Sequence, residues 1–455
     1  MRKIYFVLLL TASALFLGCC NKSDNGTEGS NPFDKINDSK SNVRDKIVVI
    51  SDLHLGNDLT YSETVAHIER LEKFLNQVRS SSTVKELILN GDIVDEWYIP
   101  TRQDTYGGGT QADFTKKSVA ANKGIFDLLN KIIKDGKVKV TYIPGNHDMG
   151  FTAENIDLAM PGVNQARDAG EKFGVGTYHP DGYPQIAIEH GHRYDFFCAM
   201  TPGANESDAP GATLPPGYFF ARIAANSFTN PTTKTEATKV RVVTNNATSD
   251  PEQTSKFTYY SLWKKVIEDV IFVKDNFSEP IIKTNVGKYT KTYSINDIIP
   301  YNRVSDGSIQ MNLYNGLFTQ SNWNDRLKYN NVPVMTDINS AIAGSLQTAF
   351  LDNQSDVQYF KNPQSSVRLV IFGHTHIPMI KSFTNLENKP CLYVNSGTWE
   401  DQKIRDKSEV VDQDAKKMHF VVLFPSKTDN KKLRVDLYQF RFGEHCLEAS
   451  NSLEL

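Results

Sequence analysis

The 455-residue sequence predicts an α/β fold, a two-sheet β-sandwich flanked by helices, with a large inserted cap region. Three observations predict it. Apolar runs of strand length recur, each closing on a polar tip. The early runs alternate with segments whose apolar residues fall at helical spacing. A stretch from Cys198 to about Pro363 then breaks the rhythm before strand-like sequence returns. Hydrophobic content of 39% and charged content of 23% suit a globular chain that buries a core. By length the chain holds two to three domains, or one with large insertions. A net charge of −3 without a long basic block gives no reason to expect a nucleic-acid partner.

Residues 1–19 read as a targeting segment. Arg2 and Lys3 supply the positive end, and Ile4 to Leu17 is an apolar run too short for a comfortable span. Gly18-Cys19 after Leu15-Phe16-Leu17 resembles a bacterial lipobox, in which the cysteine is lipidated and becomes the mature N-terminus; Cys20 is the alternative. The expected product is exported and lipid-anchored to a bacterial membrane, periplasmic or at the cell surface, and otherwise soluble. Residues 20–44, rich in Asn, Ser, Asp, Lys and Gly, read as a flexible tether. Cys198, Cys391 and Cys446 are too widely spaced for a disulfide framework or a thiolate zinc ribbon, though one disulfide is open to them in an oxidising compartment.

The first part of the main domain is expected over 45–197. Lys46 to Ser51 is its first strand, followed by Val65, Ile68, Leu71, Leu75 and Val78 at helical spacing. Leu87 to Leu89 is the second, followed by Ile125, Leu128, Leu129, Ile132 and Ile133. Val138 to Gly145 and Ile186 to Ile188 are further strands. Strands that alternate with amphipathic helices indicate a sheet covered on its faces, with ligands beyond the strands' carboxyl ends. The insertion, 198–363, opens with prolines and glycines and offers helices over Tyr218 to Ser227, Phe257 to Val273 and Ile338 to Phe350. The second part, 364–445, starts with the strand Leu369 to Phe372. Cys391 to Asn395, Phe420 to Phe424 and Leu433 to Phe440 are expected to complete a second sheet packed on the first.

The strand tips carry the chemistry. Asp52 and His54 follow the first strand, Asp92 the second, Asn146 the third, and His374 and His376 the late one. Ile186 to His192 has the same form, with His190 directly at the strand end and His192 as the alternative. Carboxylate, imidazole and amide together favour divalent Mn, Fe or Zn over Ca. Residues two apart on a strand end stand about 7 Å apart at Cα, so a bend is needed for both to reach one ion. Seven candidate ligands exceed the needs of one ion and suit two, which together stabilise the attacking and leaving oxygens of an in-line displacement.

Asp52-Leu53-His54, Gly91-Asp92-Ile93-Val94-Asp95, Gly145-Asn146-His147-Asp148, His190-Gly191-His192 and Gly373-His374-Thr375-His376 resemble the five motifs of the calcineurin-like metallophosphoesterases, in the family's order. The resemblance implies a phosphoesterase with two divalent ions. Asp52, His54 and His376 would hold one, Asn146, His190 and His374 the other, and Asp92 would bridge them. His147 would protonate the leaving group or stabilise the transition state, with Asp148 orienting its ring. A hydroxide bridging the ions would attack phosphorus. Expected substrates are a phosphomonoester, phosphodiester or pyrophosphate, in a small molecule, a lipid or the cell envelope. The rival reading is a non-catalytic surface binding lipoprotein on the same scaffold.

Departures narrow the subfamily. Asp95-Glu96 stands where Ser/Thr protein phosphatases have Asp-Arg-Gly, and Pro144 where they carry Arg, so phosphoprotein phosphatase is not expected. Asp95 also replaces the metal-binding Tyr of purple acid phosphatases. Ser51 to Gly56 is similar to the opening of UDP-diacylglucosamine pyrophosphohydrolases, whose cytoplasmic role does not suit an exported chain. Asp95 either caps the next segment or supports the site. Arg193 and Arg222 are candidates for phosphate clamping or for surface salt bridges. His67, His179 and the turn Asn395 to Thr398 read as structural.

Overall fold

The computed structural model describes residues 31–36, 43–168, 174–345, 347–401, 417–427, 429 and 431–455. The expected signal segment and both lipobox cysteines lie outside the described residues. The chain forms two compact units, one of Glu96–Thr110 with His192–Phe350, the other of the remaining described residues.

The larger unit contains β1 (Lys46–Ile50), β2 (Val84–Asn90), β3 (Lys139–Ile143), β4 (Asn164–Gln165) and β5 (Ile186–Ile188). The smaller unit contributes β6 (Ile282–Lys283), β7 (Thr292–Tyr293), β8 (Tyr301–Asn302) and β9 (Ile309–Gln310) as two short hairpins. The larger unit resumes with β10 (Leu369–Phe372), β11 (Met379–Thr384), β12 (Pro390–Asn395), β13 (His419–Pro425), β14 (Lys432–Arg441) and β15 (Glu444–Glu454). Its strands make a seven-stranded sheet, β15-β14-β13-β1-β2-β3-β4, and a four-stranded sheet, β11-β12-β10-β5.

A two-sheet sandwich follows from the alternation of each strand. Ile47 and Val49 of β1, Val421 and Leu423 of β13, and Leu433, Val435 and Leu437 of β14 share one buried cluster with Ile186 and Ile188 of β5, Leu369 and Ile371 of β10, and Leu392 and Val394 of β12. These residues are two apart in their strands, so one face of each sheet is apolar and the two faces meet. The outer face of the large sheet is covered by the helix Ile68–Ser80, whose Phe74 packs on Phe420 and Phe440 at ring separations of 5.0 and 5.6 Å. The second expected helix is Lys123–Asp135, closed by Gly136 in the left-handed conformation.

Two expectations are corrected in this unit. Of the three expected tail strands, only β12 joins the second sheet; β13 pairs antiparallel with β1, and β14 and β15 extend that sheet further. Both sheets present apolar inner faces, so alternation alone does not say which sheet a strand joins. The expected tether is also folded in part. Pro32–Lys35 is a short helix, with Phe33 buried against Phe74 and Phe420. Asp34 accepts hydrogen bonds from the Ser82 and Thr83 amides and the Ser81 and Thr83 hydroxyls. One buried aromatic ring and one saturated carboxylate tie down a segment whose composition is otherwise that of a linker.

The smaller unit differs from the expected 198–363 by taking in Glu96–Thr110 and His192 onward and by ending at Phe350. Its longer helices are Pro216–Thr229, Pro251–Val266 with a π-turn continuation over Ile267–Ile271, Gln320–Tyr329 and Ile338–Gly344. Arg222 is fully buried there and donates to the carbonyls of Ile99 and Lys283, 2.6 and 2.7 Å away, and to the Tyr218 hydroxyl. It anchors the 99–105 strap, so neither expected role for this residue holds. Arg193 donates to the Asn330 carbonyl at 3.3 Å. Cys198 and Cys391 are both buried free thiols.

Candidate metal centre

Five parallel strands point their carboxyl ends at one place: β1, β2 and β3 in the large sheet and β5 and β10 in the small one. Just past each end the backbone turns sharply. Asp52, His54, Asp92, His374 and His376 all have positive φ, between 46° and 67°. For residues with a Cβ this left-handed conformation costs about 1–2 kcal/mol each, and such strain clusters at functional sites. Hydrogen bonds hold it in place. The amides of Leu53 and His54 both donate to the Asp92 carbonyl at 2.9 Å. The Thr398 hydroxyl and the Trp399 amide both donate to the Asp52 carbonyl at 3.0 Å, and Ser51 and Ser396 share a bond at 2.7 Å. The turn at Asn395 to Thr398 is thus a structural floor under Asp52.

The motif glycines are needed because the ligands press on them. A Cβ on Gly145 would lie 2.2 Å from both the amide nitrogen and Oδ1 of Asp92, and one on Gly373 would lie 2.7 Å from Asp52 Oδ2. No larger side chain fits either position without displacing a carboxylate.

The ligand atoms converge in two groups, Asp52 with His54 and His376, and Asp92 with His190 and His374. In the first, Nε2 of His376 lies 3.0 Å from Asp52 Oδ1 and 3.4 Å from His54 Nε2, and His54 Nε2 lies 4.0 Å from Asp52 Oδ1. In the second, His190 Nε2 lies 3.1 Å from Asp92 Oδ2 and 3.1 Å from Asn146 Oδ1. Asp92 Oδ2 is also 3.8 Å from His54 Nε2, so this carboxylate faces both groups. An ion with four bonds of about 2.1 Å holds its ligand atoms about 3.4 Å apart, and these separations bracket that value.

The charges agree with the geometry. Burial presses the imidazoles towards neutrality, yet the carboxylates outweigh it: beside Asp92 and Asp52, His190 rises to about 9, and beside Glu400 and Asp52, His376 rises to about 9. His54 is held well above its ordinary value by Asp95 and Glu63. Burial opposes ionisation of Asp52 and Asp92, but neighbouring histidines keep both below the usual carboxylate range. A pocket that draws protons onto its histidines this strongly attracts cations generally, and a metal ion binding there displaces those protons.

The family-level finding agrees with this arrangement. The model of the calcineurin-like phosphoesterase family matches residues 45–378. The chain belongs to the calcineurin-like phosphoesterases. Every candidate ligand of this phosphoesterase lies inside the match, which ends two residues past His376. No curated protein matches the chain. Its family and its clustered histidines and aspartates support a metal-dependent phosphoesterase.

The seven sequence-predicted ligands of the phosphoesterase are brought together. The pair expected to do acid–base work is not. His147 Nδ1 lies 2.8 Å from Asp95 Oδ1, and the other oxygen of Asp95 lies 3.1 Å from His54 Nδ1. Burial opposes charge on Asp95, but His147 and His54 hold its carboxyl far below the usual range. Asp148 instead accepts from the amides of Gly145 at 2.6 Å and Ile93 at 2.8 Å. Burial and the charge of Asp92 push it up to about 6. It braces the turn that presents Asp92, and the orienting role passes to Asp95. His67 Nδ1 lies 2.9 Å from the Trp399 carbonyl and His179 Nδ1 2.6 Å from the Ile186 carbonyl, both structural contacts. His192 is buried in the 3-10 turn His192–Tyr194 of the smaller unit.

Two acidic residues at the site have no counterpart in the sequence reading. Glu63 Oε2 lies 3.2 Å from His54 Nδ1, and Glu400 Oε1 lies 3.3 Å from His376 Nδ1. Glu63 sits in a loop and Glu400 follows the Thr398-Trp399 turn, so no strand end or motif spacing marks either one.

Proposed function

We propose that this protein is an exported, lipid-anchored phosphohydrolase that uses two divalent ions, Mn, Fe or Zn, to cleave a phosphomonoester, phosphodiester or pyrophosphate. The observation that carries the reading is the convergence of two ligand groups around a carboxylate facing both. Asp52, His54 and His376 would hold one ion, Asn146, His190 and His374 the other, with Asp92 between them. Bound ions would supply an activated water and neutralise charge on phosphorus-bound oxygens.

The remaining steps fall to the chain's own groups. Asp95, whose Oδ1 lies 2.8 Å from His147 Nδ1, would hold the proton on that nitrogen and leave Nε2 for the substrate. His147 then donates its Nε2 proton to the departing oxygen, and Asp95 stabilises the ring in both of its charge states. No Ser or Cys nucleophile is required. The N-terminal features support placement at a bacterial membrane, where lipid, cell-envelope and small phosphoesters are all within reach of an anchored enzyme.

The test is hydrolysis of aryl phosphate monoesters and diesters by the full chain, with bound metal measured on the same sample. Asp92→Ala and His374→Ala should each abolish turnover. Full activity in either variant would refute the assigned centre, and wild-type protein that is inert and binds no metal would leave the scaffold reading in its place.

A further inference from the structure

The hairpin of β14 and β15 turns through two residues, Phe442 and Gly443, and both have positive φ, 53° and 85°. A two-residue turn of this hand favours Asn-Gly, because asparagine tolerates the left-handed conformation and glycine meets no penalty in it. Phenylalanine at the first position is strained. Its ring gains little burial in return: Phe442 is 47% exposed, with the Arg441 guanidinium 4.9 Å from the ring centre. Leu447, further along β15, is 46% exposed. Single exposed apolar side chains are ordinary. An aromatic ring kept in a turn that disfavours it, with a second exposed apolar side chain on the same hairpin, calls for a reason.

The turn is joined through Gln77 to the N-terminal helix Pro32–Lys35. Gln77 Nε2 donates to the Gly443 carbonyl at 3.0 Å, and the Gln77 carbonyl accepts from Asn31 Nδ2 at 2.6 Å. His445 Nε2 lies 2.9 Å from Gln77 Oε1, and the His445 ring stands 4.3 Å from that of Phe33. The docked N-terminal helix therefore lies beside the Phe442 turn. About a dozen residues, spanning at most about 40 Å, separate Cys19 from Asn31. Three cations stand near the turn: Arg441 before it, Lys73 against Gly443, and Lys35 in the last turn of the helix; Glu444 is the acid that follows it. β1 and β14 each pair antiparallel with β13 and so run parallel, which puts the turn at the end of the sheet that carries Asp52 and Asp92.

Building on the lipid-anchor reading, we propose that Phe442 and Leu447 form a contact with the bilayer surface, the anchor supplying attachment and the hairpin supplying orientation. A lipid surface suits this patch. An aromatic ring and a leucine enter the boundary between headgroups and acyl chains, while Lys35, Lys73 and Arg441 meet anionic headgroups. The contact places the ligand-bearing end of the sheet on the membrane side.

The experiment uses the full chain purified from membranes, reconstituted into vesicles of phosphatidylethanolamine and phosphatidylglycerol that carry bromine on the acyl chains near the headgroup. Trp97, Trp263, Trp323 and Trp399 are all buried, so an added surface indole is read against wild type. Phe442→Trp and Leu447→Trp should each lose at least half of the added emission on brominated vesicles. Leu386→Trp, at an exposed position between β11 and β12, should lose little. Lipidated protein in which the two hairpin variants are quenched no more than Leu386→Trp would overturn the proposal while the anchor stands. Protein whose intact mass shows no lipid would overturn both. Leu447→Trp decides the matter if Phe442→Trp does not fold.

Discussion

Replacing Asp95 by Asn separates the carboxylate that the fold brings to His147 from Asp148, its neighbour in the chain. Asp95 makes two contacts with imidazoles, 2.8 Å to His147 and 3.1 Å to His54. A hydrogen bond to a charged group contributes about 1.5–3 kcal/mol. Asparagine keeps one acceptor oxygen, so the variant loses about one such contact, and 1.4 kcal/mol is about a factor of ten. The expected fall in kcat/KM is therefore about 10- to 100-fold, measured with saturating metal. Because the contact serves proton donation, the loss should grow as the leaving group becomes more basic, from nitrophenyl to alkyl phosphates. Asp148→Asn should behave differently. It turns an N–H towards the amides of Gly145 and Ile93, costing about 1–3 kcal/mol of stability, with the leaving-group dependence of wild type. A steeper leaving-group dependence in Asp148→Asn, with a wild-type slope in Asp95→Asn, would refute this division of roles.

Gly145→Ala should lower metal retention at least tenfold and activity with it, because the new methyl would lie 2.2 Å from Asp92 Oδ1; equilibrium dialysis of the purified variant checks this. Phe33→Ala should cost about 3–5 kcal/mol in urea unfolding of the larger unit, as expected for truncating a fully buried aromatic ring, whereas a true linker residue would cost nothing measurable. His445 should make the fold acid-sensitive. Burial lowers its folded value from 6.5 to about 3, so the folded state resists protonation. The stability it contributes is complete above about pH 6.5 and is lost as pH falls towards 3, about 1 kcal/mol being gone by pH 5.5 after allowance for partial exposure. His445→Gln should narrow the gap between unfolding midpoints at pH 7 and 5.5, and an unchanged gap would exclude the effect.

Much of the centre is legible in the chain because its parts are local. An apolar run that stops at a polar tip marks both a strand and its carboxyl end, so Asp52, Asp92, Asn146, His190 and His374 can be picked out before any contact is known. The alternation that buries Ile47 with Val49 and Leu369 with Ile371 is equally local, and it determines a sandwich. The family motifs add the likeness of the ligand set to a known one. Glycines 91, 145 and 373 are visible too, although their necessity is seen only where ligands crowd them.

What the tertiary structure alone decided is which groups meet. Asp148 adjoins His147 in its motif and Asp95 belongs to another, yet the path of the 92–94 turn brings Asp95 to the His147 Nδ1 and directs Asp148 to backbone amides. Glu63 and Glu400 are ordinary polar residues in sequence; their places behind His54 and His376 depend on a clasp between segments more than 300 residues apart. β13 lies beside β1 because that edge is open to it, which alternation does not encode. Phe33 is one apolar residue in a polar stretch, too little to declare a helix, and it is held by aromatic rings from Phe74 and Phe420. Periodicity and tip residues act over one strand or one turn, and a single chain carries them along its length. Contacts between distant segments arise from packing all of those elements at once, so the orienting carboxylates, the edge order and the docked N-terminal helix belong to the assembled fold.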